Sequence, residues 1–160
     1  MIWFRKKSGS VKDTQPFADF MSSEGLALIR NVPNELPPLK SESISYILLQ
    51  VRDDAPEQVE RYLSGALQLV RQRGAIIEKS ISSIVLVVFD SASRTRMGDL
   101  EEMTKAFGAN VRAIYGCGEF LRGPMSVAGF ISYGTIFSRF NEMLTALLEL
   151  EFGSSGEYNK

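Results

Sequence analysis

The 160-residue sequence contains no histidine and a single cysteine, Cys117. Without histidine, the chain lacks the usual acid or base near neutral pH, the Ser-His-Asp and Cys-His nucleophile pairs, and histidine ligands for metals. One cysteine excludes an internal disulfide and a cysteine-ligated zinc cluster. The composition therefore predicts a domain with little catalytic equipment and no bound cofactor or metal.

The chain also lacks an excess of charge and long apolar runs. Its formal net charge is -1 and its pI is near 5.6, which gives no bulk attraction to nucleic acid or anionic lipid. No stretch approaches the roughly 20 apolar residues that span a bilayer, and the opening MIWFRKK lacks the order of a signal peptide. We expect a cytoplasmic protein with no nucleic-acid partner and no integral membrane segment, although Trp3 and Phe4 beside three cations also suit a membrane surface.

The remaining composition is that of a folded chain, with 44% apolar and 23% charged residues. Three prolines between residues 33 and 38 block regular structure and predict a boundary near residue 40. We expect an N-terminal arm over residues 1–40 with one helix within 15–30, a domain over 41–152, and a polar tail over 153–160.

Within the domain, apolar periodicity predicts a series of strands and helices. The predicted order is strand, helix, strand, strand, helix, strand, strand and helix, over residues 44–51, 54–73, 75–79, 84–89, 99–107, 110–115, 125–132 and 135–152. A βαββαβ order favours an α+β, ferredoxin-like fold with a mixed or antiparallel sheet and helices on one face.

Three local signals set the expected ends of these elements. Asp54 is placed to cap the first domain helix, with Pro56 in its first turn and Gly74 as its stop. The segment Gly116-Cys117-Gly118 predicts a tight hairpin, because glycine tolerates positive φ. Cys117 has no adjacent cation that would lower its pKa, so we interpret it as an ordinary cysteine.

Three stretches in this order carry a family resemblance: SYILLQV (45–51), RGAIIEKSISSIVLVVF (73–89) and VRAIYGCGEFLRG (111–123). Over residues 43–150 the chain resembles the class III adenylate/guanylate cyclase catalytic domain. The resemblance implies the nucleotide cyclase version of the ferredoxin-like fold, and an active site formed at a dimer interface.

The resemblance also implies where the family's metal ligands would lie. Two carboxylates hold two metal ions that polarise the phosphate and activate the ribose hydroxyl. They correspond to Val51 and Ser83 in this sequence. Neither residue carries a carboxylate, and Asp53 and Asp54 follow the first position by two and three residues.

The family's nucleotide contacts fall on four further positions. The purine-binding Lys and Asp correspond to Lys79 and Ile131, and the transition-state Asn and Arg correspond to Ser138 and Glu142. Lys79 alone keeps the family residue type. A glutamate at the arginine position would repel a triphosphate.

These losses predict a catalytically inactive cyclase-like domain that acts as a homodimerisation or regulatory protein-interaction module. One alternative is a purine nucleotide sensor that uses Lys79, and another is an enzyme that uses Asp53 and Asp54 as displaced metal ligands. A partner-dependent half-site and an unrelated ferredoxin-like domain also stay open. The segment YGCGEF (115–120) is similar to the YGGDEF turn of diguanylate cyclases, which supports a degenerate domain of that type as a further alternative.

Overall fold

Seven strands and four helices make up the computed structural model, which describes residues 4–5, 23–31, 35–89, 93, 95–127 and 130–158. The elements in chain order are β1 (Phe4–Arg5), α1 (Ser23–Arg30), β2 (Lys40–Val51), α2 (Pro56–Arg71), β3 (Ile76–Ile81), β4 (Ile84–Phe89), α3 (Met97–Lys105), β5 (Val111–Val127), β6 (Phe130–Ile136), α4 (Phe140–Leu148) and β7 (Ser155–Glu157).

One sheet contains all of these strands, in the order β1-β6-β5-β2-β4-β3, with β7 added beside β5. The pairs along this order are antiparallel, whereas β7 runs parallel to β5. The four strands of the βαββαβ core lie in the order β5-β2-β4-β3, with its two helices, α2 and α3, between them in the chain. The predicted α+β, ferredoxin-like fold is confirmed.

Both faces of the sheet are covered, because β2 has apolar residues at odd and at even positions. Ile47, Leu49 and Val51 pack with α2 and α3, so the two core helices share one face as predicted. Tyr46 and Leu48 pack with α4 on the opposite face. Successive side chains of a strand point to opposite faces, so an uninterrupted apolar run indicates burial on both sides.

Helix α2 has the predicted apolar stripe, but its N-cap residue differs from the prediction. Its buried residues are Ala66 and Val70, and the other stripe residues pack against the same core. The predicted cap by Asp54 is wrong, since the N-cap is Ala55 and makes no side-chain cap hydrogen bond. Pro56 supplies the fixed φ of the first turn. Gly74, at φ 79°, follows the helix as predicted.

The predicted hairpin at residues 116–118 is wrong, because β5 continues through it. Gly116 lies opposite Tyr46 in the β2–β5 pairing, and the chain reverses only between Val127 and Phe130. A Cβ at Gly116 would lie 2.6 Å from the Tyr46 hydroxyl and 2.6 Å from the Tyr158 carbonyl oxygen. Gly116 is therefore required for a close approach and not for a turn. Since the YGCGEF segment lies inside a strand, it does not form the turn that its likeness to diguanylate cyclases requires.

The predicted last helix over 135–152 is also too long. Thr135 and Ile136 belong to β6 and pair with Arg122 and Leu121, while α4 spans Phe140–Leu148. The β-branched side chains of Thr135 and Ile136 suit an extended strand, and tertiary pairing outweighs the helical periodicity that follows them.

The chain ends contribute to the same sheet. Phe4 and Arg5 pair with Ile131 and Phe130 of β6, and β7 pairs with residues 113–115 of β5 in the predicted tail. Of the helix predicted within 15–30, α1 covers Ser23–Arg30, and residues 15–22 lie outside the described part of the chain. Among the helices described, none is long and apolar enough to cross a bilayer.

Candidate functional site

Val51 and Ser83, which the resemblance predicts at the family's metal-ligand positions, lie side by side. Val51 ends β2, and Ser83 directly precedes β4, which pairs with β2. The Val51 amide donates a hydrogen bond of 2.9 Å to the Ser83 carbonyl oxygen. Both residues are buried. The fold therefore brings the two positions together, but with a methyl-bearing side chain and a hydroxyl in place of carboxylates.

A polar network connects Ser83 to an arginine. The Gln50 side-chain amide donates to Ser83 Oγ at 3.4 Å, and Gln50 Oε1 accepts bonds from Arg112 Nε at 3.0 Å and Nη2 at 2.7 Å. Arg112 Nη1 donates in turn to the carbonyl oxygens of Leu148 and Leu150, each at 2.8 Å, at the end of α4. Gln50 thus joins Ser83 to the Arg112 guanidinium through successive side-chain hydrogen bonds.

Asp53 and Asp54 lie just beyond β2 and are exposed. They border an open groove of about 500 Å³ that is also lined by Ser82 and by Val59 and Leu63 of α2. Over the residues that the structure describes, no group of three or more cysteine, aspartate or glutamate side chains is arranged to hold a metal ion.

Lys79 lies on β3 beside the start of α4. Its ammonium is 4.2 Å from the centre of the Phe140 ring, which is a cation–π contact. Ile131 is buried in β6, which is separated from β3 by three strands in the sheet, whereas Ser138 and Glu142 are exposed, with Glu142 3.9 Å from Arg139. The structure thus brings Lys79 close to α4, where its cation faces an aromatic ring.

Sequence reasoning missed two buried charged residues, Glu78 and Arg122. The Thr135 amide donates a 2.6 Å hydrogen bond to Glu78 Oε1, which ties β3 to β6 across the α4 face. The Arg122 guanidinium lies over the Tyr133 ring at 5.8 Å, and its Nη1 has no hydrogen-bond partner among the described residues. Glu78 does interrupt an apolar stretch of a predicted strand, but nothing in the sequence indicates that it is buried.

Burial gives Glu78 a predictable influence on stability. Desolvation raises the pKa of this carboxyl above its usual range, although the Thr135 hydrogen bond and Arg122 act in the opposite direction. Between the usual and the raised pKa, the folded chain holds a proton that the unfolded chain has released. The free energy of unfolding should therefore fall as the pH rises through this window. Urea unfolding at a series of pH values should show this slope, and Glu78→Gln should flatten it.

The exposed Glu102 of α3 offers a matched control for that experiment. Glu102→Gln should leave the slope unchanged. An identical pH dependence in the wild-type chain and in Glu78→Gln would contradict the assignment to Glu78.

A separate cavity of about 400 Å³ opens at the other end of β2. Its aromatic wall consists of Tyr46, Phe120 and Phe137, whose ring centres lie 4.7 to 5.8 Å apart. Tyr46 donates a 3.0 Å hydrogen bond to the Tyr158 carbonyl oxygen, which fixes the ring over Gly116. Cys117 also lines the cavity, with Sγ 3.0 Å from Ser45 Oγ.

No protein-family model matches the chain, and no curated protein matches its sequence. Solved structures do match. The adenylyl cyclase CyaB from P. aeruginosa aligns with a TM-score of 0.52 at 16% identity, over 74% of this chain and 78% of its own. The guanylyl cyclase domain of the RhoGC fusion protein from Blastocladiella emersonii aligns with a TM-score of 0.51 at 13% identity, over 74% and 80%.

A bacterial light-regulated adenylyl cyclase gives a TM-score of 0.60 at 12% identity, over 81% of this chain but only 46% of its own. At such identities the likeness concerns the backbone fold alone, and it agrees with the strand order described above. The chain therefore has the fold of the class III nucleotide cyclase domain.

Proposed function

We propose that this chain is a cyclase-like domain that does not turn over nucleoside triphosphates and that serves as an assembly module, as a homodimer or with a protein partner. The proposal rests on the residue types at the two predicted metal-ligand positions, neither of which carries a carboxylate. Val51 and Ser83 are joined by a backbone hydrogen bond, and the Ser83 hydroxyl is linked through Gln50 to the Arg112 guanidinium.

The chemistry of a cyclase explains why this substitution matters. Two metal ions must neutralise the triphosphate and activate the attacking hydroxyl, and hard cations of this kind need anionic oxygen ligands. Ser83 offers a neutral hydroxyl that already accepts a hydrogen bond, and the Val51 side chain offers no ligand atom. Glu142 adds a negative charge at the position where the family has its transition-state arginine.

The apolar side chains of the domain support the proposed assembly role. Both sheet faces are packed with apolar side chains, and large apolar residues are also exposed, among them Leu121 and Ile136. The B. emersonii guanylyl cyclase domain is dimeric in one crystal structure and monomeric in another. The exposed apolar side chains support the proposed assembly role.

A cyclase assay tests the proposed inactivity. With ATP or GTP and either Mg²⁺ or Mn²⁺, the chain should form no cyclic nucleotide above a protein-free blank. Product that appears with the wild-type chain, is lost in Asp53→Ala/Asp54→Ala and persists in Glu102→Ala would instead establish an enzyme with displaced metal ligands.

A purine nucleotide sensor is the second candidate, because Lys79 and the Phe140 ring offer an ammonium and a stacking surface together. Thermal melts of the same protein with nucleoside triphosphates and cyclic nucleotides distinguish it. The assembly proposal expects no shift at millimolar ligand. A stabilisation that vanishes in Lys79→Ala and remains in Lys105→Ala, a change at an exposed lysine of α3, would favour the sensor.

A further inference from the structure

Two glycines in the middle of β5 bring aromatic rings close to the strand. Gly116 and Gly118 are both paired with β2, and neither has a positive φ, so neither forms a turn. An added Cβ would lie 2.8 Å from Tyr46 Cζ at Gly116 and 3.1 Å from Phe120 Cε2 at Gly118. Glycine inside a strand weakens it and marks a close approach. Both glycines therefore make room for the rings of Tyr46 and Phe120.

These rings form a wall of the cavity of about 400 Å³ at this end of β2, which we call the aromatic cavity. Tyr46 and Phe120 lie on the α4 face, where Phe137 completes the wall and Met143 of α4, 2% exposed, also lines the space. Pockets for small organic molecules occupy about 300 to 1,000 Å³, and a cavity of about 150 Å³ is enough for benzene. The aromatic cavity thus has room for a flat bicyclic ring, which aromatic edges and a thioether bind favourably.

The mouth of the aromatic cavity carries a cation. Arg139, the N-cap residue of α4, lines it, and the positive end of the helix dipole lies in the same place. The contact of Arg139 with Glu142 is weak, since Nε and Oε2 are 3.9 Å apart and both side chains are more than half exposed. Glu119 also borders the cavity, but strand alternation directs its carboxylate to the opposite face, where it accepts a hydrogen bond from Ser41. An anionic group at the mouth would therefore be stabilised.

We propose that the aromatic cavity binds a small planar aromatic carboxylate, with its ring against Phe120 and Phe137 and its carboxylate beside Arg139 and the first turn of α4. This site is separate from the surface considered for a purine, because neither Lys79 nor Phe140 is among the described residues that line the cavity. The inference goes beyond the proposed assembly function and does not depend on it.

Three compounds that share one ring and differ in charge test the proposal: indole-3-acetate, indole and tryptamine. Indole-3-acetate should raise the thermal midpoint, and calorimetry should show that it binds about fivefold more tightly than neutral indole, with cationic tryptamine the weakest. Arg139→Ala should reduce the affinity for indole-3-acetate to that for indole. Arg96→Ala, which removes the exposed arginine at the N-cap of α3, should leave it unchanged.

The aromatic wall is tested independently. Phe137→Ala should weaken the binding of indole-3-acetate by about tenfold, whereas Phe140→Ala, outside the cavity, should not. Methyl NMR of the wild-type chain provides a readout that does not depend on the folding of a variant. The bound ring should shift the signal of the Met143 methyl group and leave that of Met103, which packs on the opposite face of the sheet, unchanged.

Three results would overturn the proposal. The site is refuted if none of the three compounds binds at millimolar concentration, or if saturating ligand leaves the Met143 signal unchanged. Equal affinities for the three compounds would refute the assignment of an anionic ligand. Loss of binding in Lys79→Ala would assign the ligand to the surface beside Phe140 instead. Sedimentation of the ligand-free chain measures assembly separately, so the failure of this site and the failure of the proposed function are distinguishable.

Discussion

Gly116→Ala should lower the free energy of unfolding by about 3 kcal/mol, at the upper end of the usual cost of overpacking. The added Cβ would lie 2.6 Å from the Tyr158 carbonyl oxygen and 2.8 Å from Tyr46 Cζ. Neither neighbour can retreat cheaply, since one is backbone and the other belongs to a buried ring that is hydrogen-bonded to it. Urea denaturation followed by circular dichroism would measure the loss.

Gly65→Ala is the matched control for the loss of a glycine. Gly65 lies in α2, and an added Cβ meets no atom within 4 Å. Because alanine is the better helix former, this variant should gain about 0.5 to 1 kcal/mol. Equal effects of the two substitutions would show that Tyr46 and Tyr158 do not crowd Gly116.

The elements with the strongest local patterns could be predicted from the sequence. The strand Ile84–Phe89 matches its prediction at both ends, and the stripe of α2 faces the core as its spacing requires. In both, the apolar pattern and the tertiary environment agree, so local information is sufficient. The resemblance to the cyclases singled out Val51 and Ser83, and the β2–β4 pairing explains why they lie side by side.

Prediction from the sequence failed where contacts between distant parts of the chain determine the structure. Glycine at 116 permits either a turn or a close approach, and only the position of Tyr46, 70 residues earlier in the chain, selects the second. The end of β6 at Ile136 depends on pairing with Leu121 rather than on its own sequence. Glu78 is buried because β6 and Arg122 lie against it, a contact between elements more than 40 residues apart.

The network beside Ser83 is the part of the candidate site that sequence alone could not provide. Gln50 and Arg112 are 62 residues apart in the chain, and their bond follows from the β2–β5 register, in which they are partners. Through Gln50, the register connects a cation to Ser83, where the resemblance predicts a carboxylate in working cyclases. The same guanidinium also holds the end of α4 through the carbonyl oxygens of Leu148 and Leu150.

Arg112→Ala should accordingly lower the free energy of unfolding by about 2 kcal/mol, although the side chain is only half-buried. Four hydrogen bonds are lost, two to Gln50 Oε1 and two to carbonyl oxygens at the C-terminal end of α4. Charged donors make stronger bonds than neutral ones, and a cation at a helix C-terminus also interacts favourably with the helix dipole.

Urea unfolding of four variants would identify the source of that loss. Arg112→Lys keeps the charge but cannot donate as a fork, so it should recover less than half of the stability. Arg52→Ala removes an exposed guanidinium that lies 5.0 Å from the Phe152 ring, and it should cost no more than about 1 kcal/mol.

Gln50→Ala combined with Arg112→Ala should cost less than the sum of the single changes, by about 1 kcal/mol, because the pair shares two bonds. Strict additivity would mean that Arg112 stabilises α4 independently of Gln50, and the link from Ser83 to the guanidinium would then have no energetic basis.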